Sequence, residues 1–302
     1  MNNLKYRERI KLLLQLIPIV SGIDDFAIHG GTAINLFVLD LPRYSVDIDV
    51  TYIPIKSRED TFSDIRNHLT KLKEKIKRLF SGIVIEEKPN KINCLLNGIL
   101  VKIEINGTKR GLIEPSLVLP LCDSAQTEFK TFCEAKIVSV SQLYGGKISA
   151  ALDRQHPRDM FDIKLMFDKI TGFSDIRRGF FYSILGGDRP IVESLMPNWT
   201  DQRETLARQF AGMTDIPFTY SAFEETREKL VEFINSNLTD EDKVFLFDFE
   251  AGNPLSKHTE YQEFLQFPSV QWKQLNISKL KSVNPAKHKQ GVEKLAKCLA
   301  LA

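Results

Sequence analysis

The stretch "HGGTAINLFVLDLPRYSVDIDV", residues 29–50, opens on two glycines and closes on two aspartates one residue apart. Residues 26–29 read as a short strand, Gly30-Gly31 as the turn after it, and 32–39 as a helix that Thr32 can cap. Residues 44–53 alternate and are rich in β-formers, so they read as a second strand. Side chains on a strand alternate between faces. Asp47 and Asp49 therefore point to one side, with Cα atoms about 6.5–7 Å apart, while Ile48 points into the core. Two carboxylates so placed raise each other's pKa unless a counter-charge sits between them. A hard divalent cation such as Mg²⁺ or Mn²⁺ takes oxygen ligands of this kind. A lone D-x-D also occurs by accident at solvated strand ends, so its surroundings decide the reading.

Three features stand around the pair. Glycines at a strand-to-helix turn let backbone N–H groups approach a phosphate, and the helix N-terminus adds its dipole. No G-K-[ST] follows, so this is not a Walker A loop, and no dinucleotide fingerprint is present. On 100–105, Lys102 and Glu104 share a face opposite Val101, Ile103 and Ile105. If that strand neighbours 44–53, Glu104 completes a three-carboxylate cluster; otherwise it is an exposed charge on an edge strand. The third feature is "QLYGGKISAALDRQHPRDMFDI", 142–163. Lys147 sits in a helix that is otherwise small and apolar, where a lysine either snorkels or meets an anion. Asp159 and Asp162 are neighbours on the next helix at i, i+3; Asp159 can cap that helix or hold Lys147 or Arg154, and taken alone these charges read first as structural salt bridges.

The chain has 302 residues, 43% hydrophobic and 26% charged, with net charge +2. Those values describe a folded globular protein, and global charge names no partner. Cys94, Cys122, Cys133 and Cys298 lack C-x-x-C spacing, which argues against a zinc site or disulfide framework and for a reducing compartment. Charges interrupt the apolar N-terminus, and no run reaches 18 apolar residues, so the expected setting is cytoplasmic, away from membranes. Helices are expected at 4–20, 60–80, 141–152, 158–167, 202–210, 222–235 and 285–300. Strands are expected at 83–87, 92–96, 100–105 and 134–140, with Asn97-Gly98 as a hairpin turn. Residues 115–120 read as a break, and 248–256 and 267–276 as loops or short strands. The expected organisation is a mixed α/β half, 1–170, and a helical half, 171–302.

The combination G-G-T-A-I-N-L, R-x-S-x-D-I-D and K-I-S-A-A-x-x-R-x-x-x-R-D-M-F-D-I resembles the AbiEii/AbiGii-type nucleotidyltransferase toxins of bacterial toxin–antitoxin systems, within the DNA polymerase β-like nucleotidyltransferase superfamily. The resemblance continues through "DRPIVESLMPN" (188–198), "QFAGMT" (209–214), "LTDEDKVFLFDFEAGNP" (238–254) and "PSVQWKQLNISKL" (268–280). It implies an α+β fold, a polymerase β-like mixed sheet with flanking helices followed by a mainly helical C-terminal domain. It implies that Gly30, Gly31 and Thr32 form the glycine motif, with Thr where the superfamily usually has Ser. Asp47 and Asp49 would be the metal-binding aspartates, and Arg43 and Ser45 would line the nucleotide pocket. Lys147 would be the essential lysine and Asp159, with Asp162 beside it, the later acidic position. Glu104 is the candidate third carboxylate, as metal ligand and base.

The expected chemistry is transfer of a nucleoside monophosphate from an NTP to an acceptor hydroxyl, with Mg²⁺ or Mn²⁺ on the aspartates. The resemblance points to an RNA acceptor, the tRNA 3′ end, and to an antitoxin encoded by a neighbouring gene. Lys71, Lys73, Lys75, Lys77 and Arg78 on one helix, and Lys279, Lys281, Lys287, Lys289, Lys294 and Lys297 in the tail, are placed to meet phosphates; each group also reads as an ordinary solvated face. Two other readings share these motifs: the same transfer onto a small-molecule hydroxyl, and NTP or RNA binding without turnover.

Overall fold

The structure is a computed structural model and describes residues 2–301. Its elements part into two compact units, 1–143 with 207–217, and 144–206 with 218–302.

The first unit is built on one sheet. Helix α1 (Asn2–Ser21) leads into β1 (Phe26–His29), the short α2 (Gly30–Ala33) with a π-helical turn at 34–38, then β2 (Asp47–Tyr52) and α3 (Arg58–Leu79). Next come β3 (Val84–Lys88), β4 (Lys91–Leu96), β5 (Ile99–Asn106), β6 (Leu117–Pro120), α4 (Asp123–Phe129) and β7 (Glu134–Ile137). The seven strands lie in the order β3-β4-β5-β2-β1-β7-β6. The sheet is mixed: β2 runs antiparallel to β1 but parallel to β5, and β1 runs parallel to β7. Asn97 and Gly98 both take positive φ, 50° and 78°, as a tight hairpin between β4 and β5 demands.

One face of this sheet is apolar. Ile48, Val50, Tyr52, Ile92, Ile103 and Ile105 are all buried there. Helix α1 covers it with Ile10, Leu13, Leu14 and Ile17, and α3 with Ile65, Leu69, Leu72 and Ile76. The Ser57 hydroxyl accepts from Asp60 N and starts α3. The break expected at 115–120 is instead β6, the outermost strand next to β7. Prolines suit an edge, where a missing N–H leaves no ladder bond unmade.

The second unit is helical. It holds most of α5 (Val140–Arg154), then α6 (Pro157–Met166), α7 (Arg177–Leu185), α8 (Ile191–Leu195), α9 (Arg203–Thr205), α10 (Tyr220–Asn237), α11 (Asp240–Ala251), α12 (Gln262–Leu265), α13 (Pro268–Val283) and α14 (Pro285–Cys298). Two expectations fail here. Residues 248–251 finish α11, and 268–276 open α13. Thr239 and Asp242 form a capping box at the start of α11, and Gly252 at φ 64° ends it. Pro268 stands at the first turn of α13, where its missing N–H costs nothing. An aromatic core, including Phe180, Phe181, Phe223, Phe245, Phe249, Tyr261 and Phe264, fills this unit. No helix among the described residues is long and apolar enough to cross a membrane.

Candidate active site

The sequence-derived residues gather into two groups, one in each unit. In the first unit β2 alternates as its spacing demands: Ile48 and Val50 are buried, while Asp47 and Asp49 are part-exposed on the opposite face. The parallel pairing of β2 with β5 sets Asp49 level with Glu104 and Asp47 level with Lys102. The antiparallel pairing with β1 sets His29 level with Asp49. That face therefore carries His29, Asp47, Asp49, Lys102 and Glu104 together. The His29 Nδ1 lies 3.0 Å from the Thr51 hydroxyl.

Lys102 occupies the middle of this acidic group. Its Nζ is 3.0 Å from Glu104 and 3.9 Å from Asp47. Burial works against the ammonium, but the bond to Glu104 and the charges of Asp47 and Asp49 outweigh it, so its pKa is raised. Among the described residues no three His, Cys, Asp or Glu side chains group closely enough to hold a metal ion. Glu104 is thus a neighbour of the aspartates by register, and its carboxylate is taken by Lys102.

The glycine turn is packed onto this face. Gly30 has φ +74°, and a Cβ built on it would stand 2.7 Å from Asp49 Oδ2. A Cβ on Gly31 would meet Arg43 Nη2 at 2.8 Å and Ser45 Oγ at 2.9 Å. Glycine at 30 lets the backbone lie against Asp49, and glycine at 31 leaves room for Arg43 and Ser45. Helix α2 starts at Gly30, with His29 at the N-cap position. Thr32 does not cap it: the threonine is fully buried, and its hydroxyl donates to the Asp47 carbonyl and lies 3.1 Å from Ser45 Oγ. Thr32 therefore fastens the turn to the start of β2. Arg43 and Ser45 are buried as well, and Arg43 donates to the Tyr44 carbonyl at 3.0 Å.

One contributor is missing from the sequence reading. Tyr44 N donates to the Met213 carbonyl at 2.7 Å, and Thr214 Oγ1 donates to the Pro42 carbonyl at 2.6 Å. The 207–217 segment thereby pins the approach to the aspartates from far along the chain. No local signal could place it there.

In the second unit Lys147 is buried on α5. Its Nζ donates to Asp159 Oδ1 at 3.0 Å and lies 2.8 Å from Asp162 Oδ2, both fully buried on α6. Arg154 adds two bonds to Asp159, at 2.6 and 3.0 Å. Buried Lys147 and half-exposed Arg154 balance two carboxylates that lie in the interior, where an unpaired charge would be costly. Burial alone would raise the Asp159 pKa. Lys147 and Arg154 more than offset it and hold that carboxyl far below the usual range. His156 accepts from Arg158 N, and Pro157 occupies the first turn, which fixes where α6 begins. Tyr144, one turn before Lys147, is fully buried, and among the described residues its hydroxyl meets no hydrogen-bond partner.

Comparison with known proteins identifies the family. Residues 11–180 match the family model described as nucleotidyl transferase AbiEii toxin, type IV toxin–antitoxin system. The fold is similar to that of MenT4, a nucleotidyltransferase toxin from Mycobacterium tuberculosis H37Rv. The TM-score is 0.61 at 14% identity, over 92% of this chain and 99% of that one. A search of curated proteins gives no match. Because the family model spans more than half of the sequence, the chain belongs to the AbiEii nucleotidyltransferase toxins of type IV toxin–antitoxin systems.

Proposed function

We propose that this toxin transfers a nucleoside monophosphate from an NTP to a hydroxyl of RNA, the 3′ end of tRNA, and so blocks translation. In the transfer the acceptor oxygen attacks the α-phosphorus, the bond from that phosphorus to the bridging oxygen breaks, and pyrophosphate leaves. The observation that carries this reading is the placement of Asp47 and Asp49 on one open strand face with Gly30 against Asp49.

The donor set fits a divalent ion. It consists of hard carboxylate oxygens, and an ammonium already lies among them as a counter-charge. Asp47 and Asp49 would hold Mg²⁺ or Mn²⁺, which when bound neutralises triphosphate charge and makes the acceptor hydroxyl more acidic. Gly30 and Gly31 offer the start of α2 to phosphate oxygens. Arg43 and Ser45 line the turn beside them. Glu104, once released by Lys102, is the base for the acceptor proton. Lys147, held by the buried Asp159 and Asp162, is the essential lysine that the family resemblance implies. The catalytic stretch is assigned to 1–170, close to where the family match ends, and the helical remainder to the acceptor.

The partner is an antitoxin encoded by a neighbouring gene, and the setting is the cytoplasm, where such a pair serves phage defence. Incubation with each labelled NTP, Mg²⁺ and total tRNA tests the activity. The expected result is label in tRNA, reduced about 100-fold or more by Asp47→Ala or Asp49→Ala. Absence of label with every nucleotide would remove the RNA acceptor. Folded aspartate variants that still arrest growth would show that binding, not transfer, is toxic.

A further inference from the structure

The charge of the chain is concentrated at one end. Residues 275–302 hold six lysines against one glutamate, a net +5 in a chain whose total is +2. Two of the six have partners inside the fold. Lys281 Nζ donates to the Ala251 carbonyl at 3.0 Å and so closes the end of α11, and Lys289 lies 3.8 Å from Glu293. Lys279, Lys287, Lys294 and Lys297 are exposed. Among the described residues none of these four meets a carboxylate at ion-pair distance.

Helix α14 buries His288 and Leu295 against its unit, Leu299 follows buried at its end, and His288 Nε2 reaches the Glu250 carbonyl at 3.0 Å. Its lysines ride the other side. Lys287, Gly291 and Lys294 stand at i, i+4 and i+7, on one stripe, and Lys297 follows one turn on. Gly291 answers no need of the fold: a Cβ built there finds nothing within 4 Å. Glycine inside a helix still lowers its stability. Like charges at Lys294 and Lys297 lower it further. The helix thus keeps two features that weaken it, side by side on its open face. Both make sense against a polyanion that neutralises the lysines and comes close to the backbone at Gly291.

We infer that the open face of α14 docks the phosphate backbone of RNA. The inference rests on the RNA-acceptor reading above and adds where that acceptor is held. RNA is favoured over an anionic membrane surface because the open side of α14 carries Ala286, Gln290 and Glu293 between the lysines and no large apolar side chain. A helix that lies in a membrane interface needs such side chains.

Equilibrium binding of total tRNA by the full chain, measured across a KCl series, tests it. Replacing Lys287, Lys294 and Lys297 by Glu together should weaken binding at least tenfold near 0.1 M salt. It should also flatten the log–log salt dependence by about two units, at roughly 0.7–0.9 per lost phosphate contact. The melting temperature and the shift produced by Mg²⁺ with NTP should be kept. Gly291→Leu should weaken tRNA binding while the chain stays folded. An unchanged salt slope in the triple variant overturns the inference, as does wild-type protein that binds anionic vesicles but not tRNA. If tRNA binds with the expected slope change yet no label is transferred, the transfer reading fails and the docking face stands.

Discussion

Lys147 gives two hydrogen-bonding contacts to carboxylates that have no exposure of their own, so its removal strands charge in the interior. Asp159→Asn should destabilise the protein by about 3 kcal/mol at pH 7, the cost of leaving Lys147 and Arg154 underpaired. The pH dependence has a definite sign. The folded-state pKa of Asp159 is depressed, so its contribution is complete above the ordinary carboxylate pKa of about 3.9. It is lost as pH falls from there through the lower folded value. Thermal melts at pH 7 and pH 3 should show the gap between wild type and Asp159→Asn narrowing in acid. Tyr144 behaves oppositely. Its hydroxyl is buried without a partner, so Tyr144→Phe should stabilise by up to about 1 kcal/mol in a denaturant titration. Gly30→Ala should abolish transfer, since it strains a backbone at φ +74° and pushes on Asp49; circular dichroism would check that the fold survives. At this scale the aspartate pair was legible, because period-two alternation is local. The role of Thr32 was not, since its partners, Ser45 and the Asp47 carbonyl, are more than ten residues away.

Adjacent glycines on α5 show how an element constrains its own sequence. A Cβ on Gly145 would lie 2.0 Å from the Gly179 carbonyl carbon on α7, backbone against backbone, whereas one on Gly146 meets nothing within 4 Å. Gly145→Ala should therefore cost about 3 kcal/mol or more. Gly146→Ala should be neutral or add up to about 1 kcal/mol by helix propensity. Chemical denaturation of the two variants would separate them. The elements that escaped sequence reading did so for local reasons. Phe245, Phe247 and Phe249 alternate like a strand, yet Phe245 and Phe249 are buried one helical turn apart on α11. The 115–120 stretch, bounded by prolines, read as a break but forms an edge strand, and 267–276 read as a loop or short strand although Pro268 starts a helix. Strand β5 was legible; its pairing with β2, which brings Glu104 level with Asp49, was not, because parallel neighbours are fixed by long-range contacts.

For the whole molecule, the expectation of a mixed half followed by a helical half survives in outline, and the mixed sheet with helices around it is the fold found. The compact units do not follow one another along the chain. The first is closed by 207–217, whose Met213 and Thr214 carbonyl and hydroxyl hold Tyr44 and Pro42. A protein ending at 170 should consequently lose order at 42–46 and melt earlier than the full chain. Hydrogen exchange at Tyr44 would report it directly, as rapid exchange in the shortened protein and slow exchange in the full one.

That returning segment also bears on how the toxin can be handled. A cut within 144–206 would divide the first unit between two polypeptides, neither of which owns all of it. Produced separately, such halves would be inert in a living host and would regain the sheet-bound arginine–serine approach only on mixing, which makes this chain a natural substrate for split-protein reconstitution.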